Sequence, residues 1–589
     1  MGFLVSPGVE VNEIDMTNII PALSTSIGAY AGEFNWGPSG RIVTVSSEAE
    51  LASTFGAPSV SGANADRKAR SFFTAASFLK YGNTLRVSRA VPNDAKNAYS
   101  GLTDIDIITD IDDFENTANK PAGAYARYAG SLGNGLKVVV ITENNDGDSY
   151  YGTGSGSTVS EYVSQLSYLP GTTEWAAALT GDEYIHDECA VLVIDTEAKF
   201  SSTRDAVLER FEGLSLAKNA KTVDGANNYF IDVINTQSQY VYAYDLETKF
   251  LTATTPVELS TTSDSTEFTY KTSGAEFAFT LDNGSDGTLI AGTVTAALDL
   301  FDEGDAVDIN FIFAQTISET ENDQKPIDDE LIEIANDRKD VIAFISAPLI
   351  IATTGLSGTA DTKTGTVIDY FDGLASTSYA VFGSTPVQMY NKYTDRFIWV
   401  PDSGHVAGLC AYTDDVTEPW FSPAGLNRGQ LRGVSKLALN PNKTQRDDLY
   451  KARVNPIVSF PGEGIVLYGD KTALSRPSAF DRINVRRLFI TLEKAIATFA
   501  KYQLFELNDE FTRSAFRAAV EPYLRIVQAR RGITDFRVIC DTTNNTGSVI
   551  DSNGFVADIS IKPARSINFI TLNFIATRTG VEFKEIVGG

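Results

Sequence analysis

The sequence predicts a mixed α/β (α+β) multidomain chain with extended terminal arms and a mostly β insertion in its middle. Three observations lead there. Helix and strand periodicities alternate through residues 21–92 and 326–440, the pattern of a sheet with helices packed on it. A strongly acidic, turn-rich stretch, 93–325, interrupts that alternation. Both ends of the chain read as short alternating strands.

At the N-terminus SPGVEVNEID places Val9 and Val11 on one strand face and Glu10 on the other. Near the C-terminus Ile570, Leu572 and Phe574 alternate with Thr571 and Asn573, and Val581 and Phe583 follow in the last arm, VEFKEIVGG. A terminal strand must join a sheet. If that sheet belongs to another copy, the chain is a building unit; if it is the chain's own, the ends merely complete it.

Between the ends, residues 66–81 put Ala69, Phe72, Phe73, Ala76 and Leu79 on one helical face, and Gly82 stops the helix. TLRVSRAV then reads as a strand. The insertion contains DIDIITDIDDFEN, a GTGSGST loop at 152–158 and turns such as Asp282-Asn283-Gly284, and it reads as one or two mostly β domains. A helix from Asp328 to Asp340 and a buried strand in VIAFISAP resume the host. From Asp481 to Phe505, Val485, Phe489, Leu492, Ile496 and Phe499 mark a core face. Arg487, Thr491, Lys494, Thr498 and Lys501 mark an opposite basic-polar ridge, with Arg482 and Arg486 near its start. A second helix starts near Asn508 as N-cap and ends at Gly532.

The 589 residues exceed one hydrophobic core, and length alone suggests roughly four domains. The expected divisions are 1–20, an arm that joins the C-terminal domain; 21–92 with 326–440, a middle domain; 93–325, the insertion, read as two outer domains; and 441–589, the C-terminal domain. The net charge of −28 is uneven: residues 93–325 hold 12 Lys+Arg against 39 Asp+Glu, whereas 441–589 hold 21 against 16. An acidic surface disfavours nucleic-acid binding. No run approaches the ~20 apolar residues of a membrane helix, and no secretory signal is visible. Met1-Gly2 with Ser6 formally fits a myristoylation pattern, but the strand that follows argues against it. Three scattered cysteines give no disulfide framework and suit a reducing cytoplasm.

Catalytic and metal chemistry find little support. His186 stands in HDEC, which reads as an exposed acidic loop without further ligands. His405 in SGHVAG reads as a packing or hydrogen-bonding residue. Ser77 and Lys80 match SxxK inside a helix that has a core face. Asp282 to Gly287 faintly resembles a calcium loop, but a hairpin turn explains it. The glycines at 152, 154 and 156 do not form a phosphate-binding turn. The expectation is no catalytic residue, no metal and no cofactor.

Several motifs in order resemble the contractile tail sheath proteins of tailed bacteriophages: SPGVEV, GEFNWGP at 32–38, SGHVAGLCAYTD, PWFSPAGLNRG at 419–429, VLYGDKT, FDRINVRRLFITLEKAI, CDTTNNT at 540–546 and PARSINFITLNF. The resemblance covers the ends and most of the host and says little about the insertion. It implies a homo-oligomer of hexameric rings stacked helically around a tail tube protein, with baseplate and tail terminator proteins as further partners and no direct nucleic acid. It also implies arms that add strands to neighbouring copies, and contraction that drives the tube through a host envelope. On this reading the chain is a virion component assembled in the host cytoplasm, and Arg482, Arg486, Arg487, Lys494 and Lys501 are candidates to face the tube; a solvated helix face or intersubunit ion pairs would use the same residues. A sheath of a related injection or secretion machine is the near alternative. A glycan-active enzyme with an acidic β domain is the distant one.

Overall fold

The computed structural model describes residues 25–568 and 571, apart from 59–63, 102–106, 118–119, 144–149, 152–161, 183, 202, 265, 272–274, 318–320 and 354–357. The described residues of 24–417 and 423–482 form one unit, and those of 418–422 and 483–571 form another.

A seven-stranded sheet centres the larger unit. Its order is Val454–Asn455, Ala380–Gly383, Ile342–Ile345, Phe311–Ala314, Gly28–Gly32, Leu85–Arg89 and Ile42–Val45. Neighbours run parallel except the last pair, which is antiparallel. Parallel strands are covered on both faces and so read as continuous apolar runs. FIFA at 311–314 and IAFI at 342–345 fit that rule, with every residue buried.

This sheet moves two expected boundaries. Phe311–Ala314 pairs with both Gly28–Gly32 and Ile342–Ile345, so the acidic stretch returns to the host before residue 325. Helix Ala291–Leu298 packs into the same core through Val294 and Leu298. Val454–Asn455 belongs to the sheet as well, so the host continues past 441. Charge marked the solvent-facing surface of the region, and strand pairing crosses that mark.

Helix Ala65–Leu79 is buried on more than its expected face: Phe78 is in the core and Leu79 only half-buried. Helix Ser403–Val416 accounts for part of this. A Cβ on Gly404 would lie 2.1 Å from the Thr74 carbonyl oxygen, and one on Gly408 would lie 2.5 Å from the Tyr81 ring. The glycines of SGHVAG therefore let two helices approach more closely than side chains permit.

The insertion is built on an antiparallel sheet ordered Ala278–Thr280, Leu136–Glu143, Glu188–Asp195 and Ala206–Ser215, with Tyr150–Tyr151 added to Leu136–Glu143. A ribbon of Gly123–Ala126 and Val241–Tyr244 lies apart from this sheet. One apolar core spans sheet and ribbon, including Val138, Val191, Ala124 and Val241. HDEC is not the exposed loop expected from its charges. His186, Asp187 and Glu188 are buried, and Glu188 opens one of the two inner strands. Asp187 is satisfied by the Thr173 amide and hydroxyl at 2.8 and 2.7 Å and by the Ser215 hydroxyl at 2.5 Å.

The calcium-like turn proves to be a clamp between insertion and host. Asp286 pairs with Lys68 at 2.7 Å and accepts from the Ser131 amide and hydroxyl at 3.0 and 2.8 Å. Gly284 and Asn134 exchange two hydrogen bonds, of 2.7 and 3.0 Å. Buried Arg89 donates to the Gly37 and Ala129 carbonyls, each at 2.7 Å. Both terminal nitrogens of Arg89 thus find carbonyl acceptors and the Lys68 ammonium finds a carboxylate, the pairing that a buried ionic group requires.

Two glycine substitutions should move stability in opposite directions. Gly404→Ala forces a methyl against rigid backbone and is expected to cost about 2 kcal/mol. Gly365→Ala, inside helix Ala360–Asp372 where a Cβ meets nothing within 4 Å, is expected to gain about 0.5–1 kcal/mol. Thermal or urea unfolding of the two variants checks both signs.

Candidate assembly surfaces

Among the described residues the core of the smaller unit is two helices packed on a two-stranded sheet, with a short helix, Gly547–Asp551, between the strands. Helix Ile483–Lys501 contributes Leu488, Leu492, Ala495 and Phe499, and helix Glu510–Ala529 contributes Phe516, Val520, Leu524 and Val527. Leu492 and Phe499 were on the expected stripe. Phe489 and Ile496 are half-buried, and Leu488 and Ala495 replace them in the core. The N-cap of the second helix is Asp509, one residue after the expected Asn508; its carboxylate accepts from the Thr512 amide at 2.8 Å.

Strands Ile533–Ile539 and Asp558–Pro563 pair antiparallel, with Phe536 opposite Ile561 and Val538 opposite Ile559. These four side chains pack on the helical core. The connecting loop is held by Asn545, which donates to the Val556 carbonyl at 2.7 Å and accepts from its amide at 2.8 Å. Among the described residues no third strand pairs with either outer edge. Two-stranded sheets have little stability of their own, and open edges are templates for strand addition.

The residues expected to supply added strands, Val9, Glu10, Val11, Ile570, Leu572, Phe574, Val581 and Phe583, lie outside the described residues. The basic ridge is present only in part. Arg482 belongs to the larger unit and pairs with Asp481 at 3.4 Å and Asp470 at 3.7 Å. Arg486 and Arg487 are buried, Lys494 is half-buried and Lys501 is exposed. The two-stripe reading assumed a helix buried on one side only, but residues 483–488 are buried all round. Sequence periodicity also missed an apolar turn between the helices, where Tyr502, Leu504, Phe505, Leu507 and Phe511 are all strongly exposed. A turn has no helical or strand period to reveal it.

The titratable groups of the larger unit's interior serve packing. His405 lies 3.2 Å through Nδ1 from the Tyr81 hydroxyl and 3.4 Å through Nε2 from the Met389 sulfur. Burial, and to a lesser degree Lys80, pushes its pKa down to about 3, so the ring is neutral at physiological pH. Ser77 donates to the Phe73 carbonyl at 2.6 Å, an intrahelical bond and no nucleophile's geometry. His186 Nδ1 meets Glu143 at 2.9 Å. Among the described residues no group of three or more His, Cys, Asp or Glu is placed to hold a metal, and no helix is long and apolar enough to cross a membrane.

Family models match along the chain in order: the N-terminal region of domain III of the Gp18 tail sheath protein at 25–90, the phage tail sheath central domain at 291–473 and the phage tail sheath C-terminal domain at 475–577. The tail sheath protein of Vibrio phage KVP40 is 35% identical along 99% of this chain and 100% of its own length. This chain belongs to the phage tail sheath family. The tail sheath protein of Enterobacteria phage T4 is 34% identical over 99% of both chains. Among solved structures, the sheath tail protein of Listeria innocua shares the fold at a TM-score of 0.53 and 13% identity, covering 93% of each chain. The contracted helical sheath of the anti-feeding prophage does so at 0.50 and 12%, covering 97% of this chain and 99% of its own.

The chain is thus a structural subunit of a contractile tail sheath, a virion component. The motifs that carry the resemblance act in this sheath protein as packing devices. In PWFSPAGLNRG, the Trp420 indole donates to the Arg530 carbonyl at 3.1 Å. In VLYGDKT, the Lys471 amide donates to the Asn455 side chain at 2.7 Å, and that side chain donates to the Phe382 carbonyl at 3.1 Å. In CDTTNNT, Asn544 donates to the Ile539 carbonyl at 2.8 Å.

Two buried carboxyls give the sheath subunit a pH dependence. Burial pushes Asp402 up to about 7 against the pull of Ser346 and nearby amides, and pushes Asp328 up to about 7 against Tyr370 and Gln324. A raised carboxyl pKa means that the folded state holds a proton the unfolded chain has released. The contribution of these two groups to stability is therefore full below about pH 4 and falls as pH rises to about 7. Asp402→Asn should flatten that fall by at most about 4 kcal/mol. Melting temperatures of wild type and variant at pH 5 and pH 8 check it.

Proposed function

We propose that the subunit polymerises as stacked hexameric rings around the tail tube, joined by strand addition, and that contraction drives the tube through the host envelope without catalysis. The observation that carries this reading is the two-stranded sheet of Ile533–Ile539 and Asp558–Pro563, whose outer edges pair with no strand among the described residues. The alternating segments around Val9, Glu10 and Val11 and around Ile570, Leu572 and Phe574 have the pattern to fill those edges in neighbouring copies, with Val581 and Phe583 extending the C-terminal arm. Each added backbone hydrogen bond contributes about 1 kcal/mol net, so a strand of several bonds outlasts rotation of the domains it connects. Head-to-tail joining that does not close gives a helical stack.

Lys494 and Lys501 are the basic residues of helix Ile483–Lys501 that retain surface, and we assign them the tube-facing role. The baseplate and the tail terminator would cap the two ends of the stack, and assembly would take place in the host cytoplasm. The acidic insertion would face outward, where like charge keeps particles apart.

Deletion of residues 2–12 should leave the melting temperature of the monomer unchanged and abolish polymers in negative-stain micrographs. Polymers forming at the wild-type concentration would overturn the strand-addition reading. Lys494→Glu with Lys501→Glu should leave polymers intact but lower co-sedimentation with purified tubes; undiminished co-sedimentation would remove the tube-facing role.

A further inference from the structure

Two apolar surfaces of this chain face solvent, one rimmed by carboxylates and the other with an exposed lysine on its face. The first is the turn between helices Ile483–Lys501 and Glu510–Ala529. Phe505 is fully exposed there, at 105% of its reference area, and its backbone has φ +72°. That left-handed conformation is strained for a bulky residue and free for glycine. A phenylalanine is thus held where it gains nothing by burial within the chain and where glycine would fit better. Leu504, Leu507 and Phe511 flank it, and Glu506, Asp509 and Glu510 give the turn a negative rim.

The second surface is the open face of the three-stranded sheet Arg396–Val400, Val387–Asn391 and Val434–Leu437. Val387, Met389, Ile398 and Val400 point into the core, which leaves the alternate residues on the other face. There Tyr390 lies opposite Phe397, with ring centroids 5.6 Å apart. Gln388 lies opposite Trp399 on one side and Lys436 on the other. Phe397 is 59% exposed and Tyr390 is 49% exposed; the Tyr390 hydroxyl donates to exposed Asp395 at 2.7 Å on the hairpin side, and exposed Lys436 lies toward the other end, opposite Gln388. Lys392 and Arg396 are exposed at the same hairpin and pair with Glu48 and Asp66.

We propose that the turn of one copy seats Phe505 on the Tyr390–Phe397 face of a second copy, with Glu506 directed to Lys436. An exposed apolar turn with an acidic rim meets an aromatic sheet face whose end away from Asp395 carries Lys436. Apolar patches of this kind mark interaction sites, and aromatic anchors carry a disproportionate share of interface energy. The contact is heterologous, so it propagates along a polymer and leaves each copy's projection and face both occupied. The proposal rests on the chain polymerising as a sheath, and it is separate from the strand-addition junctions.

The test uses the full-length chain. Phe505→Gly should leave the monomer's melting temperature equal or higher, because the left-handed strain is relieved, yet raise the critical concentration for polymerisation about tenfold. Phe397→Ser should raise it similarly, and the double variant should add little to either single change, as coupled partners do. Glu506→Cys chains copolymerised with Lys436→Cys chains should form disulfide heterodimers on mild oxidation, and neither chain alone should form homodimers; the native cysteines are buried and do not compete. Normal polymers without heterodimers, or Phe505→Gly polymerising at the wild-type concentration, would overturn the contact alone. An unmodified chain that never polymerises would overturn the sheath reading and this contact with it.

Discussion

A parallel sheet must be covered on both faces, and the larger unit is organised around that constraint. The strands centred on Gly28–Gly32, Phe311–Ala314 and Ile342–Ile345 expose no residue to water. Helices therefore have to lie on both sides, and the chain has to leave and re-enter the sheet between strands. The departure between Leu85–Arg89 and Phe311–Ala314 is long enough to hold a complete folded insertion with its own core. Insertions of that size are tolerated where the entry and exit points are fixed.

Here those points are fixed by ionic and polar contacts. Asp286 near the exit meets Lys68 of the host and Ser131 of the insertion. Burial alone would raise the Asp286 carboxyl, and Lys68 together with Ser131 brings it below its ordinary range. Burial lowers the Lys68 ammonium despite the neighbouring carboxylates. Such a pair is costly to break from one side only, because the remaining charge is left buried. The clamp therefore specifies one attachment geometry for the insertion, which apolar contact alone would leave less defined.

The smaller unit follows a different logic. Its helical pair and two strands make one apolar core, but the sheet stops at two strands among the described residues. Large natural sheets hide their edges. Under the proposed assembly a neighbour would complete those edges and would also cover the aromatic held in a left-handed turn. In both places this chain by itself forgoes local stability.

The sequence by itself determined what repeats with a fixed period or a fixed local chemistry. The helices at 65–79, 483–501 and 510–529 were legible from apolar spacing, and the buried strand at 342–345 from its unbroken apolar run. Ordered motifs were enough for the family. Only the tertiary structure decided which strands pair across hundreds of residues, so the boundaries at 325 and 441 drawn from charge and texture did not match the sheet. It also decided that Arg486 and Arg487 are buried, that HDEC opens an inner strand, and that a calcium-like turn is an ion-paired clamp. The physical reason is the same in each case. Periodicity records which face of an element is apolar, whereas burial of a charge and pairing of an edge depend on partners distant in the chain, which no local spacing encodes.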